Sequence, residues 1–290
     1  MFVQIIRLIR PWQWIKNGVV LAGLIFSGTA FIREYQVNAL IAVFAFCLLS
    51  SAVYALNDIV DGERDRLHPM KKSRPLASGK LSVSVAIIIA VVFAAGGLGL
   101  GILVNRELFL VAASYLVLNI LYTFSLKDIV IIDVMSIAAG FVLRALAGAV
   151  AIEVAFSNWL LISTFVLALF LALGKRRAEI VSLENEAATH RRILKKYSSY
   201  LLDQLIGVVT ASTVITYFFY TLSTEVQSKL HTEYMVLTTP FVIYGVFRYL
   251  YLVHKEAQGG FPTRLLLTDR PILLNVLLWL ASVIVILYIL

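Results

Sequence analysis

An all-α membrane protein, a bundle of nine transmembrane helices with a cavity opening on its cytoplasmic face, is the fold class that this sequence predicts. Three observations predict it. Of 290 residues, 60% are apolar and 14% charged, more apolar side chain than one aqueous core can hide. Apolar runs of roughly 20 residues, enough to cross a hydrocarbon layer about 30 Å thick, recur along the whole chain with no soluble domain between them. The basic residues are segregated to one side of those runs, as in polytopic proteins oriented by charge.

The spans are read at 17–33, 37–57, 82–104, 108–124, 131–151, 157–174, 201–223, 234–253 and 271–290, forming a single integral membrane domain over 1–290. An odd number places the two ends of the chain on opposite sides of the bilayer. With the N-terminus inside, Lys and Arg collect on the cytoplasmic side except for Arg33, Arg106 and Lys229 outside and Arg144 within the fifth span. The expected location is therefore the plasma (inner) membrane, with a cytoplasmic N-terminus and the C-terminus opposite. Arg7 and Arg10 before an apolar run ending in Ser27, Gly28, Thr29 and Ala30 imitate a signal peptide, but the spans that follow favour a retained segment. The net charge of +8 is topology and membrane-surface charge rather than a nucleic-acid footprint.

Within the spans, Gly96, Gly97, Gly99 and Gly101 of the third and the small-residue stretch Ala138 to Ala151 of the fifth predict close helix packing. Pro240 and Pro271 sit near helix starts, where a missing N–H costs little. Cys47 is the only cysteine, so an internal disulfide or cysteine cluster is excluded and a packing role is expected. The outer loops are short. The cytoplasmic side carries two long polar segments, Asp58 to Lys80 and Lys175 to Ser199, and chemistry is expected there. Arg191 to Tyr200 reads as a basic surface helix meeting anionic lipid.

The end of the second span begins Asn57-Asp58-Ile59-Val60-Asp61-Gly62-Glu63-Arg64-Asp65. Asp58, Asp61 and Asp65 lie three and four residues apart and share one helical face within roughly 60° of arc. Carboxylates so placed repel unless they take up protons or share a cation. Oxygen-only donors favour a hard ion such as Mg2+. The competing reading is a solvated helix end neutralised by Arg64 and Arg66. His68, Lys71, Lys72 and Arg74 follow at once, and a cation site backed by fixed positive charge suits a diphosphate. Arg144 is the other outlier, since an arginine inside a span needs a polar cavity or a partner; pairing with Asp133 is the structural alternative.

The pattern Asn57-Asp58-x-x-Asp61-x-x-x-Asp65 resembles the first aspartate-rich motif of UbiA-type intramembrane prenyltransferases. Further runs narrow the likeness to the decaprenyl-phosphate phosphoribosyltransferase branch of that superfamily. They are Arg10-Pro11-x-Gln13-Trp14-x-Lys16-Asn17, His68-Pro69-x-Lys71-x-x-Arg74-Pro75, Tyr122 with Lys127, and Lys175-Arg176-Arg177-x-Glu179. That last run stands where typical prenyltransferases carry a second acidic motif.

The resemblance implies a Mg2+-dependent enzyme that moves a 5-phosphoribosyl group from phosphoribosyl pyrophosphate to a polyprenyl phosphate for cell-envelope polysaccharide synthesis. It implies Asp58, Asp61 and Asp65 as metal ligands and, with Lys127, as catalytic residues. Lys16, Tyr122, Lys127 and Arg144 are expected at the acceptor phosphate or the outer phosphates of the donor, and Asn57, His68, Lys71 and Arg74 at the substrate. Lys175, Arg176 and Arg177 are expected at the ribose phosphate, with Glu179 on a hydroxyl or metal-bound water. The alternatives are prenyl transfer to an aromatic acceptor and, less favoured, transport. Expected partners are the two substrates and the bilayer, with no nucleic acid; assembly into a homo-oligomer is left open.

Overall fold

The computed structural model describes residues 1–67, 71–155, 157–183, 196–255, 260 and 262–290. Among these every regular element is helical. In chain order they are α1 (Phe2–Ile9), a 3-10 segment (Pro11–Leu21), α2 (Ala22–Ile25), α3 (Arg33–Val60), α4 (Gly62–Leu67), α5 (Val83–Val104) and α6 (Arg106–Phe124). There follow α7 (Ile132–Ala151), α8 (Asn158–Leu183), α9 (Ser199–Leu222), α10 (Thr224–Leu230), α11 (Thr239–His254), α12 (Pro262–Thr268) and α13 (Arg270–Tyr288). Among the described residues eight helices, counting the 3-10 turn Tyr234–Thr238 together with α11, are long and apolar enough to cross a membrane, and they fall on the second to ninth predicted spans.

The first predicted span, 17–33, departs from expectation. Its place is taken by the 3-10 segment and α2, which end at Ile25 and are followed by turns. The segment is still long enough to cross, because a 3-10 helix rises about 2.0 Å per residue against 1.5 Å for an α-helix, so Pro11 to Ile25 reaches roughly 28 Å. At one end Trp14 Nε1 donates to Ser51 Oγ (3.0 Å) and Arg10 meets Asp58, near the end of α3. At the other, Leu24 packs with Ala39 and Ile152.

The reason for the unusual geometry lies in α7. A Cβ at Gly148 would fall inside the contact shell of the Val20 carbonyl oxygen, and one at Gly23 would stand 2.6 Å from the backbone nitrogen of Ala149. Backbone therefore rests on backbone, which only glycine permits.

Helices α3 and α7 are central, with more than half of the most apolar stretch of each buried, while α5 and α13 turn most of their surface outward. Helix α5 lies along α3, where a Cβ at Gly97 would meet Leu49 Cγ at 2.7 Å. One core joins Val20, Phe46, Leu49, Leu108, Tyr115 and Ala147 across the 3-10 segment, α3, α6 and α7. Another joins Val134, Phe170, Leu202, Tyr249 and Ile272 across α7, α8, α9, α11 and α13. The ring closes between first and last segments: Tyr288 Oη lies 2.9 Å from Ile25 O and accepts from Ala30 N (3.2 Å).

Capping accounts for several helix starts. Ser82, Asn105, Ser198 and Asp269 accept backbone N–H groups at the heads of α5, α6, α9 and α13. Asp269 also takes Arg248 Nη2 from α11 at 2.8 Å, and that hydrogen bond holds its carboxyl below the usual carboxylate range.

Replacing Gly148 with leucine is expected to unseat the first segment, read as loss of monodisperse protein in detergent. Asp269→Asn keeps the cap and removes the charge. Because the folded carboxyl ionises more readily than the unfolded one, the contribution of the pair is present above about pH 4 and fades as pH falls through the folded value. The melting-temperature difference between this variant and the parent should be open at neutral pH and narrow as the pH falls below about 4.

Candidate active site

The α3 helix ends at Val60 and a turn at Asp61–Gly62 leads into α4, yet the winding persists: Asp61 N donates to Asn57 O at 2.9 Å and Asp65 N to Asp61 O at 2.8 Å. Asp58, Asp61 and Asp65 therefore keep the common face expected of an unbroken helix. Asp58 is 1% exposed and Asp65 4%, while Asp61 is half-buried.

Arg64 and Arg66, offered by the sequence as local neutralisers, are exposed and make none of the ion pairs of these acids. Partners come from outside this turn. Arg10 Nη2 donates to Asp58 Oδ1 at 2.5 Å, Arg74 Nη1 donates to Asp58 Oδ1 (3.0 Å) and Asp65 Oδ2 (2.6 Å), and Lys127 Nζ donates to Asp61 Oδ1 (2.7 Å). Asn57 Oδ1 is held by the Thr123 hydroxyl of α6 at 2.9 Å. Lys127 sits on the 3-10 turn Leu126–Asp128 and is 4% exposed, so its ammonium has been drawn out of water into this cluster.

Among the described residues no three His, Cys, Asp or Glu side chains are gathered into a metal cage, because each acid is turned to a base. The donor chemistry still fits a hard divalent ion. All ligating atoms are oxygen, and Asp58 Oδ2 is buried with no hydrogen-bond partner, an acceptor that a cation would satisfy.

A second polar layer lies deeper in the bundle around Arg144 of α7, which is 7% exposed. Its Nε donates to Asn17 Oδ1 (2.8 Å), its Nη2 to Tyr115 Oη (2.7 Å) and its Nη1 to Gly140 O (3.1 Å). The guanidinium also lies 4.7 Å from the Tyr115 ring centroid. These partners are all neutral. Lys16, on the 3-10 segment, lies in the electrostatic field of Arg10, Arg144 and Lys175.

The alternative that Arg144 pairs with Asp133 is overturned. Asp133 is fully buried and held elsewhere: Oδ2 accepts from Arg176 Nε (2.8 Å) and Oδ1 from Tyr197 Oη (2.7 Å).

The expected basic triplet does not act as a unit. Helix α8 continues two turns past the predicted end of its span, so Lys175, Arg176 and Arg177 diverge by about 100° each. Lys175 is exposed and pairs with Glu179 (3.8 Å). Arg176 is 1% exposed, tied to Asp133 and, through Nη1, to Glu179 Oε2 (2.7 Å), with Tyr122 Oη 3.4 Å from Nη2. Arg177 points to Asp203 of α9 (2.5 Å) and the Val253 carbonyl of α11 (3.4 Å). Arg176 is therefore a buried link between α7 and α8 rather than an open anion ligand, and Arg177 braces α8 against α9 and α11.

Lys71 opens the 3-10 turn Lys71–Ser73, and its carbonyl accepts from Arg74 N (2.9 Å). His68 lies outside the described residues, as does 191–195 of the expected surface helix, whose remainder includes the first turn of α9. Residues given no site role from sequence are Arg10, Asn17, Tyr115 and Tyr197, and Asp133 is expected there only as a partner for Arg144. Arg10 and Asn17 stand in the N-terminal motif, and Asp133 is an acid inside an apolar run, so signals existed for these three; nothing marks Tyr115 or Tyr197 among thirteen tyrosines.

The UbiA prenyltransferase family model matches residues 18–260. The chain belongs to the UbiA family. Two curated members, both called decaprenyl-phosphate phosphoribosyltransferase, come from Corynebacterium glutamicum and Mycolicibacterium smegmatis. The first is 33% identical over 98% of this chain and 86% of its own length, the second 31% identical over 96% and 91%. Among solved structures, a UbiA homolog from Archaeoglobus fulgidus bound to GPP and Mg2+ superposes with a TM-score of 0.74 at 19% identity, covering 99% of this chain and all of that one. A digeranylgeranylglyceryl phosphate synthase superposes at 0.66, with 98% of each chain covered. The likeness of fold thus extends over nearly the whole chain.

Asp133→Asn should leave the buried Arg176 with only the partly exposed Glu179 as counter-ion and lower stability, by at most about 3–5 kcal/mol. The paired change Asp133→Leu with Arg176→Met should recover most of that loss. Thermal unfolding of the detergent-purified protein measures both.

Proposed function

We propose that this protein transfers a 5-phosphoribosyl group from phosphoribosyl pyrophosphate to a polyprenyl phosphate of decaprenyl type, releasing pyrophosphate, with Mg2+ as cofactor. The observation that carries the reading is the identity of 31 to 33%, over nearly the full chain, with enzymes named for that transfer. Family membership supports a prenyl-lipid substrate, and the site chemistry supports an anionic donor: hard oxygen acids at the end of α3, surrounded by Arg10, Arg74 and Lys127.

The metal would be held by Asp58 and Asp61, with Asp65 beside them. Bound there with the diphosphate, it supplies Lewis acidity that withdraws charge from the leaving group. The C1–oxygen bond to pyrophosphate breaks as a bond forms between C1 and an oxygen of the polyprenyl phosphate, and the electron pair leaves with pyrophosphate. The acceptor is already anionic, so the protein needs to position rather than deprotonate it. Lys127, Arg74 and Lys71 face the developing charge. Lys16, Tyr122 and Arg144, whose partners in the protein are neutral in the last case, are assigned to the phosphates, as are Asn57, His68 and the exposed Lys175. Glu179 stands at the rim to take a ribose hydroxyl.

We place the Asp58 end of the bundle on the cytoplasmic side of the plasma membrane, with the N-terminus inside and the C-terminus outside. The positive-inside bias supports this, and residues 1–290 act as one domain. The lipid tail then lies among the apolar spans while its phosphate reaches the site.

The deciding experiment offers purified protein and Mg2+ two donor–acceptor pairs. Product from phosphoribosyl pyrophosphate with polyprenyl phosphate is expected, and none from a prenyl diphosphate with an aromatic acid; the reverse outcome would assign prenyl transfer instead. Asp58→Asn and Asp61→Asn should each lower turnover by at least about 100-fold while leaving the elution profile intact. Near-normal turnover in both would remove these acids from the mechanism.

A further inference from the structure

The ion pairs around the acidic face are balanced in number and lopsided in geometry. Three carboxylates, Asp58, Asp61 and Asp65, face three bases, Arg10, Arg74 and Lys127. Their charges cancel. Within that balance one oxygen, Asp58 Oδ1, accepts both guanidiniums, while its neighbour Oδ2 is buried and accepts nothing. Each guanidinium in turn is engaged through a single nitrogen, Nη2 of Arg10 and Nη1 of Arg74, although the fork is built for paired hydrogen bonds to carboxylate or phosphate. Among the described residues the other nitrogens of these two forks make no hydrogen bond. Arg10 is also held in the left-handed region at φ 52°, a sparsely populated conformation for a non-glycine residue, at the junction of α1 and the 3-10 segment.

This is an arrangement with unused capacity on both sides. A free divalent ion arriving alone finds carboxylates already neutralised, and to reach them it must push a base off an acid that is nearly out of water, leaving that base unpaired. A diphosphate arriving with the ion removes that obstacle, because its oxygens take up the displaced guanidiniums and ammonium, two hydrogen bonds per fork.

We propose that Arg10, Arg74 and Lys127 hold the acidic face in the place of the metal and exchange onto the diphosphate when metal and donor bind together. The protein would then take up its cation as a metal–diphosphate complex and bind the free ion poorly. Arg10 thereby acquires a substrate-binding role, linking α1 to the reacting end of the bundle. The idea rests on a diphosphate donor, common to the phosphoribosyl reading and to its prenyl-transfer rival.

The test uses the full chain in detergent and two probes, Mn2+ alone and inorganic pyrophosphate. At equal free Mn2+, the parent should retain about tenfold more of the ion with pyrophosphate present than without. In Arg74→Gln and Arg10→Gln an acid loses its base, so retention of Mn2+ alone should rise by about tenfold while retention of radiolabelled pyrophosphate with Mg2+ falls by a similar factor. Opposite movement of the two probes is the signature, since a merely structural role for either arginine would weaken both. Mn2+ binding that is unchanged or weaker in the variants overturns the proposal, as does a parent that binds Mn2+ equally well with and without pyrophosphate; this parent measurement decides if neither variant folds. Because no ribosyl or prenyl donor is used, the outcome is independent of the donor assay.

Discussion

Charge inside a bundle set in hydrocarbon persists only where another group neutralises or solvates it, and the interior of this protein is organised by that requirement. It is met in two ways. Asp133 and Arg176 form a closed unit: both carboxylate oxygens are taken, by Arg176 and Tyr197, and the guanidinium is shared with Glu179. Such a unit leaves Asp133 no oxygen to offer a ligand, and it joins α7, α8 and the approach to α9. The acids at the end of α3 are neutralised without being saturated, and Arg144 is solvated by neutral groups without meeting an anion. Unsaturated groups are where a substrate carrying phosphate and metal can enter.

Backbone geometry serves the same end. Because the first segment rests directly on Gly148 and its neighbour in α7, Asn17 is brought within reach of Arg144, and the same segment begins beside Arg10 at Asp58. The extended 3-10 rise lets a short stretch of chain connect both polar layers while crossing the bundle. The Trp14–Ser51–Ile9 hydrogen bonds fix its entry against α3. A regular α-helix here would present a different set of side chains inward.

The sequence resolved these features unequally. Eight spans were legible because apolar runs of spanning length have no other stable home. The acidic face was legible because it depends on local winding alone, which survives the turn at Asp61 and Gly62. Of the basic partners only Arg74, part of the cluster that follows the acids, is near in sequence. Arg64 and Arg66 are nearer still and turned to the surface, while Arg10 and Lys127, the other partners found, lie 48 and 66 residues from their acids. Lys175, Arg176 and Arg177 read as a cluster in one dimension and diverge on a helix that runs further than its apolar stretch.

Composition and periodicity by themselves determined that the chain lives in a membrane, where its helices run, and which end carries three acids on one face. Those properties follow from the solvent and from the 3.6-residue turn, both local to each segment. Tertiary structure alone decided which charge neutralises which, that the first predicted span is occupied by a 3-10 segment, and that Arg144 faces neutral groups while Asp133 is consumed by Arg176. The physical reason is that an ion pair forms between groups that packing brings within a few ångströms, and packing between helices is set by close contacts such as Val20 on Gly148 that no single segment contains.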